Sequence, residues 1–277
     1  MNDYMRESLS YFGLFRRMSK QKKVVEAERV NYGEDNDQYF LYYEPETPVS
    51  NKVIFWVHGG GWDAGNPQFF DYVGQCVARE GYRMISAGYR LSPRFKYPCQ
   101  IEDVCECYND AMGFLTGKGV NTSKVIVAGP SAGAHLTSIM CYSMETQERY
   151  KVDISNVIGY VGFGGPYSFR EDQSLTLKLL LGRLFEKGYD RKSGEPVSLM
   201  NKNHIPMLLI QSRHDGLIDF RCAEEFAKKA EEVGNRCEIY EVIDKKNTHS
   251  WYTAGLFMEP RSENKGLDKF FSWIENI

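Results

Sequence analysis

The sequence predicts an α/β fold, a mostly parallel eight-stranded sheet flanked by helices, with a small helical lid insertion. Three observations predict it. Apolar runs of strand length alternate with longer segments of helical period, as expected when helices cover both faces of a parallel sheet. Two of those apolar runs pass directly into glycine-rich turns. The first two runs have no helix between them, which reads as an antiparallel edge.

In chain order, helical period marks Asp3 to Met18, and strand-length runs follow at Lys23 to Val30 and Gln38 to Tyr43. Strand and helix then alternate. Strands are expected at Lys52 to Val57, Tyr82 to Ala87, Lys124 to Ala128, Val157 to Phe163, Met207 to Gln211 and Cys237 to Ile243. Helices are expected at Pro67 to Arg79, Gln100 to Leu115, Ala132 to Met144, Leu175 to Phe185, Ala223 to Val233 and Glu263 to Ile274. The connection from Gly164 to Ile205 is longer than a plain crossover requires and carries the apolar segment LTLKLLLGRLF. It reads either as a lid or binding segment or as a helix packed on the scaffold.

At 277 residues, with no linker-like tract, the whole chain (1–277) is expected to form a single domain. Lys and Arg total 34 against 37 Asp and Glu, a net charge of -3, which argues against nucleic acid or an anionic membrane as partner. The seven cysteines include no CxxC pair at zinc spacing, so free thiols in a reducing compartment are expected, with no metal and no cofactor. The N-terminal residues mix charges among their apolar positions, unlike a signal peptide, and no run nears a membrane span of about 20 apolar residues. These features predict a soluble, cytoplasmic protein and leave homodimerisation open. Cys105 and Cys107, two residues apart on a helix, read as buried apolar fillers rather than as a reactive pair.

The chemistry concentrates in two glycine turns. Val125 to Ser138 reads VIVAGPSAGAHLTS, a strand, then Gly129-Pro130-Ser131-Ala132-Gly133, then a helix. A serine on a sharp strand-to-helix turn needs small residues two positions to either side, because the folded backbone crowds them. Such a turn exposes the hydroxyl at a helix N-terminus, where amides can stabilise an oxyanion. Val53 to Asp63, VIFWVHGGGWD, supplies the second turn, whose consecutive glycines can aim backbone N–H groups at a ligand. Ala64 argues against a dinucleotide loop, since it stands where the third glycine of GxGxxG would follow Gly59 and Gly61.

A serine nucleophile requires a base, and the chain has five histidines. His58 lies in the glycine loop and His135 on the helix after Ser131, both with structural roles expected. His204 precedes a proline at a strand entry, and His214 precedes an acid in a loop. His249, just after the last strand in Asn247-Thr248-His249-Ser250-Trp251, is the candidate base. The orienting acid should end a strand between serine and histidine. Asp215, after the Met207 strand, is preferred over Asp219, which sits near a helix start where capping explains it.

These residues resemble the hormone-sensitive-lipase-like and acetyl or feruloyl esterase branches of the α/β-hydrolase fold, with an arylformamidase-like GPSAGAH turn. The resemblance runs from about Tyr32 to the C-terminus and includes Tyr89-Arg90-Leu91-Ser92-Pro93, Tyr97-Pro98 and Ile101-Glu102-Asp103, in which Asp103 would be structural. It implies that Gly60, Gly61 and Ala132 form an oxyanion hole and that Trp62 lies near the acyl pocket. It also implies a serine esterase for small-molecule esters with short acyl groups, working through Ser131, Asp215 and His249. Two departures from the family pattern, Pro130 before the serine and an N-terminal cap reduced to one helix, argue against large lipid substrates. Two alternatives remain open: an arylformamidase or peptidase-like amide hydrolase, and a non-catalytic ligand-binding protein on the same fold.

Overall fold

In a computed structural model of the chain, residues 3–18, 20–170, 172–244 and 246–277 are described. The signal-peptide reading touches Met1, Asn2 and Ser19, and the long connection includes Glu171; these lie outside the described residues, as does Lys245.

The strands β1 (Glu28–Asn31), β2 (Tyr39–Tyr43), β3 (Val53–Val57), β4 (Arg83–Ala87), β5 (Val125–Pro130), β6 (Val157–Phe163), β7 (Met207–Gln211) and β8 (Cys237–Glu241) form a sheet in the order β1-β2-β4-β3-β5-β6-β7-β8. β2 runs antiparallel to both β1 and β4, and all other neighbours are parallel. Every residue of β3, β5 and β7 is buried, which is why these strands read as continuous apolar runs rather than as alternating ones. Alternation persists in three dimensions: Val53, Phe55 and Val57 join one apolar layer, Ile54 and Trp56 the other.

The helices are α1 (Asp3–Met18), α2 (Asp71–Arg79), α3 (Cys99–Gly117), α4 (Ala132–Tyr142), α5 (Met144–Tyr150), α6 (Leu175–Leu184), α7 (Pro196–Leu199), α8 (Arg221–Val233), α9 (His249–Thr253) and α10 (Lys265–Glu275). Side chains of α3, α4 and α8 fill the first layer, those of α2 and α10 the second. Cys105 and Cys107 are both fully buried on α3 in the first layer. Among the described residues, no helix is long and apolar enough to cross a membrane.

Most expected elements shift by only a few residues, for identifiable reasons. The expected strand from Lys23 shortens to β1 because Gln75 reaches from α2, accepting from Val24 N and Val25 N and donating to Val25 O, so side-chain bonds replace a ladder there. The expected helix to Met144 breaks at Ser143, whose extended backbone and hydroxyl, accepting from Thr146 N, begin α5 afresh. His249, expected just after the last strand, is the first residue of a short helix there, α9.

Asp103 has the structural role that the resemblance implied. It is fully buried and accepts from Arg90 N at 2.7 Å, from Arg90 Nε and Nη2 at 2.9 and 2.5 Å, and from Gln38 Nε2 at 3.0 Å. These bonds tie α3 to the segment after β4. Asp103→Ala would leave the part-exposed Arg90 guanidinium with only its longer 3.5 Å contact to Glu102 and would free Gln38, and we expect urea unfolding to show a loss of about 1–3 kcal/mol.

Candidate active site

Four strand ends converge. Ser131 follows β5, the glycine loop follows β3, Asp215 follows β7, and His249 follows β8, all at the carboxyl end of parallel strands, where open α/β sheets bind ligands.

The serine turn is as tight as its sequence implies. Ser131 adopts φ 52° and ψ -119°, a left-handed conformation that costs a non-glycine residue about 1–3 kcal/mol. Its side glycines are forced by contact: a Cβ on Gly133 would lie 2.0 Å from Val57 O, and one on Gly129 would lie 2.8 Å from the same carbonyl. The turn therefore presses α4 against the end of β3, and this contact brings Ser131 beside the glycine loop. Only part-buried, Ser131 remains accessible from the cavity.

Gly60 and Gly61 both have positive φ, and a Cβ on Gly60 would lie 2.1 Å from Ala64 O. Gly60 O accepts from Asp63 N and Ala64 N, closing the turn. The amides of Gly60 and Gly61 donate to no backbone carbonyl among the described residues. Ala132 N belongs to the first turn of α4, which has no intrahelical acceptor. The three amides that the resemblance assigns to an oxyanion hole thus lie at turns, and among the described residues none has a helix or sheet carbonyl partner.

Asp215 and His249 form a buried pair: His249 Nδ1 donates to Asp215 Oδ2 at 2.7 Å, with side-chain exposures of 4% and 0%. Asp215 Oδ1 accepts from Leu217 N and Ile218 N, both at 2.8 Å, so the loop backbone fixes the carboxylate. Burial alone would lower the His249 pKa, but the charge and hydrogen bond of Asp215, together with the charge of Glu7, outweigh it and hold the pKa above the ordinary histidine value. Asp219 instead faces solvent, paired with Arg221 and accepting from Arg221 N just before α8.

The remaining histidines are occupied elsewhere. His58 is buried between Tyr89 and Phe70, and its Nδ1 donates to Gly59 O at 2.7 Å. Trp62 Nε1 donates to His135 Nδ1 at 3.2 Å, so His135 carries its proton on Nε2 and donates to Gly194 O at 2.7 Å. Burial pushes both His58 and His135 down to about 4, leaving them neutral and weakly basic. His135 thus links the glycine loop, the serine helix and the long connection. His204 bonds Val157 O, and His214 is exposed.

Ser131, His249, Gly60, Gly61 and Trp62 line one cavity of about 610 Å³, a volume within the range of small-molecule sites. Much of the rest of its wall is apolar, with Leu177 and Leu180 from α6, Leu217 and Ile218 from the Asp215 loop, and Phe69 and Phe70 before α2, while Glu7, Asp63 and Thr176 add polar groups. Leu180 lies against Gly61, where an added Cβ would approach within 2.9 Å, and Arg183 of α6 pairs with Asp63 at 2.6 Å. The long connection therefore packs directly on the glycine loop.

Three residues escaped the sequence reading. Tyr252, one turn beyond His249, donates to Asp215 Oδ2 at 2.5 Å. Glu7 accepts from the backbone at His249, and Tyr11 of the same helix α1 lines the cavity. The one available signal was the spacing of Glu7, Tyr11 and Leu14, which places them on one face of α1.

The sheet order, with these turns at its carboxyl edge, is that of the α/β-hydrolase fold. Residues 40–230 match the family model BD-FAE, and the chain belongs to that family. It is similar to esterase LipC of Mycobacterium tuberculosis, 24% identical over 231 residues that cover 77% of this chain and 57% of that protein. An acetyl esterase of Salmonella schwarzengrund is 27% identical over 164 residues, 59% of this chain and 47% of that protein. The chain thus spans about half the length of the curated relatives it matches. Among solved structures, the carboxylesterase EstE1, cloned from a metagenomic library, superposes with a TM-score of 0.79 at 16% identity, covering 100% of this chain and 97% of that one. The Francisella virulence factor BioJ superposes with a TM-score of 0.78 at 20% identity, covering 100% and 93%. At such identities the structural likeness establishes the fold.

Proposed function

We propose that the chain is a carboxylic ester hydrolase for small esters with short acyl groups, acting through Ser131, His249 and Asp215. The observation that carries this reading is the buried His249–Asp215 pair opening onto the same cavity as a strained, accessible Ser131. The names of the relatives, an esterase and an acetyl esterase, support the reaction class.

His249 Nδ1–H donates a hydrogen bond to Asp215, leaving Nε2 free to take the Ser131 hydroxyl proton as Oγ attacks the ester carbonyl. The carbonyl π electrons move onto oxygen, where the amides of Gly60, Gly61 and Ala132 stabilise the negative charge. Collapse expels the alcohol, which takes its proton from His249 and leaves Ser131 acylated. Water, deprotonated by His249, then attacks the acyl carbonyl; the Ser131 Oγ–acyl bond breaks, Oγ takes the proton back from His249, and the acid is released. The raised pKa of His249 favours protonation of the imidazole as charge develops.

Short acyl groups fit the space beside the glycines, which Trp62 and Leu180 narrow. We assign the part of the 164–205 connection that carries Pro166, Thr176, Leu177 and Leu180 as a roof over this cavity, within a single domain. All seven cysteines are free thiols, which supports a reducing compartment such as the cytoplasm. A p-nitrophenyl ester series from acetate to decanoate tests the reading. We expect kcat/KM to be greatest from acetate to butyrate and to fall by about tenfold or more at decanoate, since an unfit chain must leave the pocket or displace Leu180. A rate that rises steadily to decanoate would overturn the short-acyl assignment, and no hydrolysis of any ester would overturn the function.

A further inference from the structure

We propose that Glu7, on the N-terminal helix α1, is a positioning residue that holds His249 in its working place. This rests on His249 being the base proposed above. α9 is five residues long and its N-cap, Thr248, makes no side-chain capping bond, so its first amides need acceptors from elsewhere. Glu7 supplies both: Oε2 accepts from His249 N at 2.6 Å and Oε1 from Ser250 N at 2.8 Å. A carboxyl group only 1% exposed is costly to bury, and these two bonds, made at the base itself, are what compensate it.

The surrounding contacts repeat the pattern. Ser10, one turn after Arg6, bonds Thr248 Oγ1 and Ser250 Oγ at 2.8 Å each, and Arg6 Nη2 donates to Asn247 Oδ1 at 2.7 Å. Residues 247 to 250 are thereby gripped by one stretch of α1, which is more than 230 residues away in sequence. The imidazole has its far side fixed by Asp215, so the Glu7 clamp sets the remaining freedom, that of the His249 backbone. The charged and titratable groups facing this histidine are Asp215 from the loop after β7, Tyr252 from α9, and Glu7, Tyr11 and Arg6 from α1. Of these, Asp215 and Glu7 add negative charge that favours the protonated imidazole.

The test uses the full chain with Glu7→Gln, which keeps the shape and removes the charge and one acceptor, and Glu7→Asp, which keeps the charge and withdraws it by one methylene. With p-nitrophenyl acetate we expect Glu7→Gln to lower kcat by roughly 10- to 100-fold, as small misplacements of a catalytic group do, with KM nearly constant. Its acid limb in kcat/KM should move to lower pH, because a negative charge beside His249 is gone. Glu7→Asp should lose kcat while keeping the acid limb near that of the parent. Should Glu7→Gln fail to fold, the Glu7→Asp result decides, and parental kcat in either folded variant overturns the inference. NMR titration of the His249 imidazole reads the same effect without turnover: a lower midpoint in Glu7→Gln supports the role, and an unchanged midpoint overturns it. An inert parent chain would count against the esterase reading alone, since this titration still judges Glu7.

Discussion

Ser131→Ala should reduce ester turnover by roughly 10⁶-fold in kcat, the size of loss seen in a serine protease when its nucleophile is removed. The substitution deletes the attacking oxygen and costs the helix nothing at its start, since α4 takes no side-chain cap from Ser131. Alanine also fits the volume of the turn, although it must adopt the same φ of 52°. Stability should therefore change little, and a melting curve close to that of the parent would show that lost activity is lost chemistry. Activity need not fall to the rate in water. Gly60, Gly61 and Ala132 still offer their amides to a developing oxyanion, and comparable sites retain about 10³- to 10⁴-fold over water without their nucleophile.

Asp215→Asn should lower kcat by about 10⁴-fold, for a reason visible in the hydrogen bonds. Asp215 Oδ1 is held by Leu217 N and Ile218 N, so the amide oxygen of an asparagine would be drawn to that position. Its NH₂ group would then face His249 Nδ1 and Tyr252. Nδ1 would become an acceptor and the imidazole proton would move to Nε2. A histidine in that tautomer cannot take the serine proton. With the carboxylate charge gone, the His249 pKa should also fall, reversing the elevation that Asp215 provides. Steady-state kinetics across pH would register both changes, the low kcat and the displaced acid limb.

How much of this was legible in the sequence differs by element. The strand-to-glycine turns at Ser131 and Gly60 could be read because local geometry demands them: Gly133 cannot carry a Cβ against Val57 O, so the residue type reports the fold directly. Asp215 could be read from its place after an apolar strand and before the histidine. Asp103 was recognisable only through the YRLSP and IED segments, yet its buried ion pair with Arg90 supplies the reason for them. By contrast, α9 was invisible. Five residues carry too little periodicity to announce a helix, and its missing cap comes from Glu7 in another part of the chain. Tyr252 was overlooked with it, since its reach to Asp215 depends on His249 and Tyr252 being one helical turn apart. Contacts that cross the whole sequence leave no local pattern to find.

All of the proposed chemistry depends on Ser131 being an activated nucleophile with His249 as its base. Reaction of the folded chain with a fluorophosphonate, followed by peptide mass spectrometry, tests it most directly. We expect an adduct on the peptide containing Ser131 and none at the other serines, with labelling slowed strongly in His249→Ala. An unmodified Ser131, or equal labelling with and without the histidine, would contradict it.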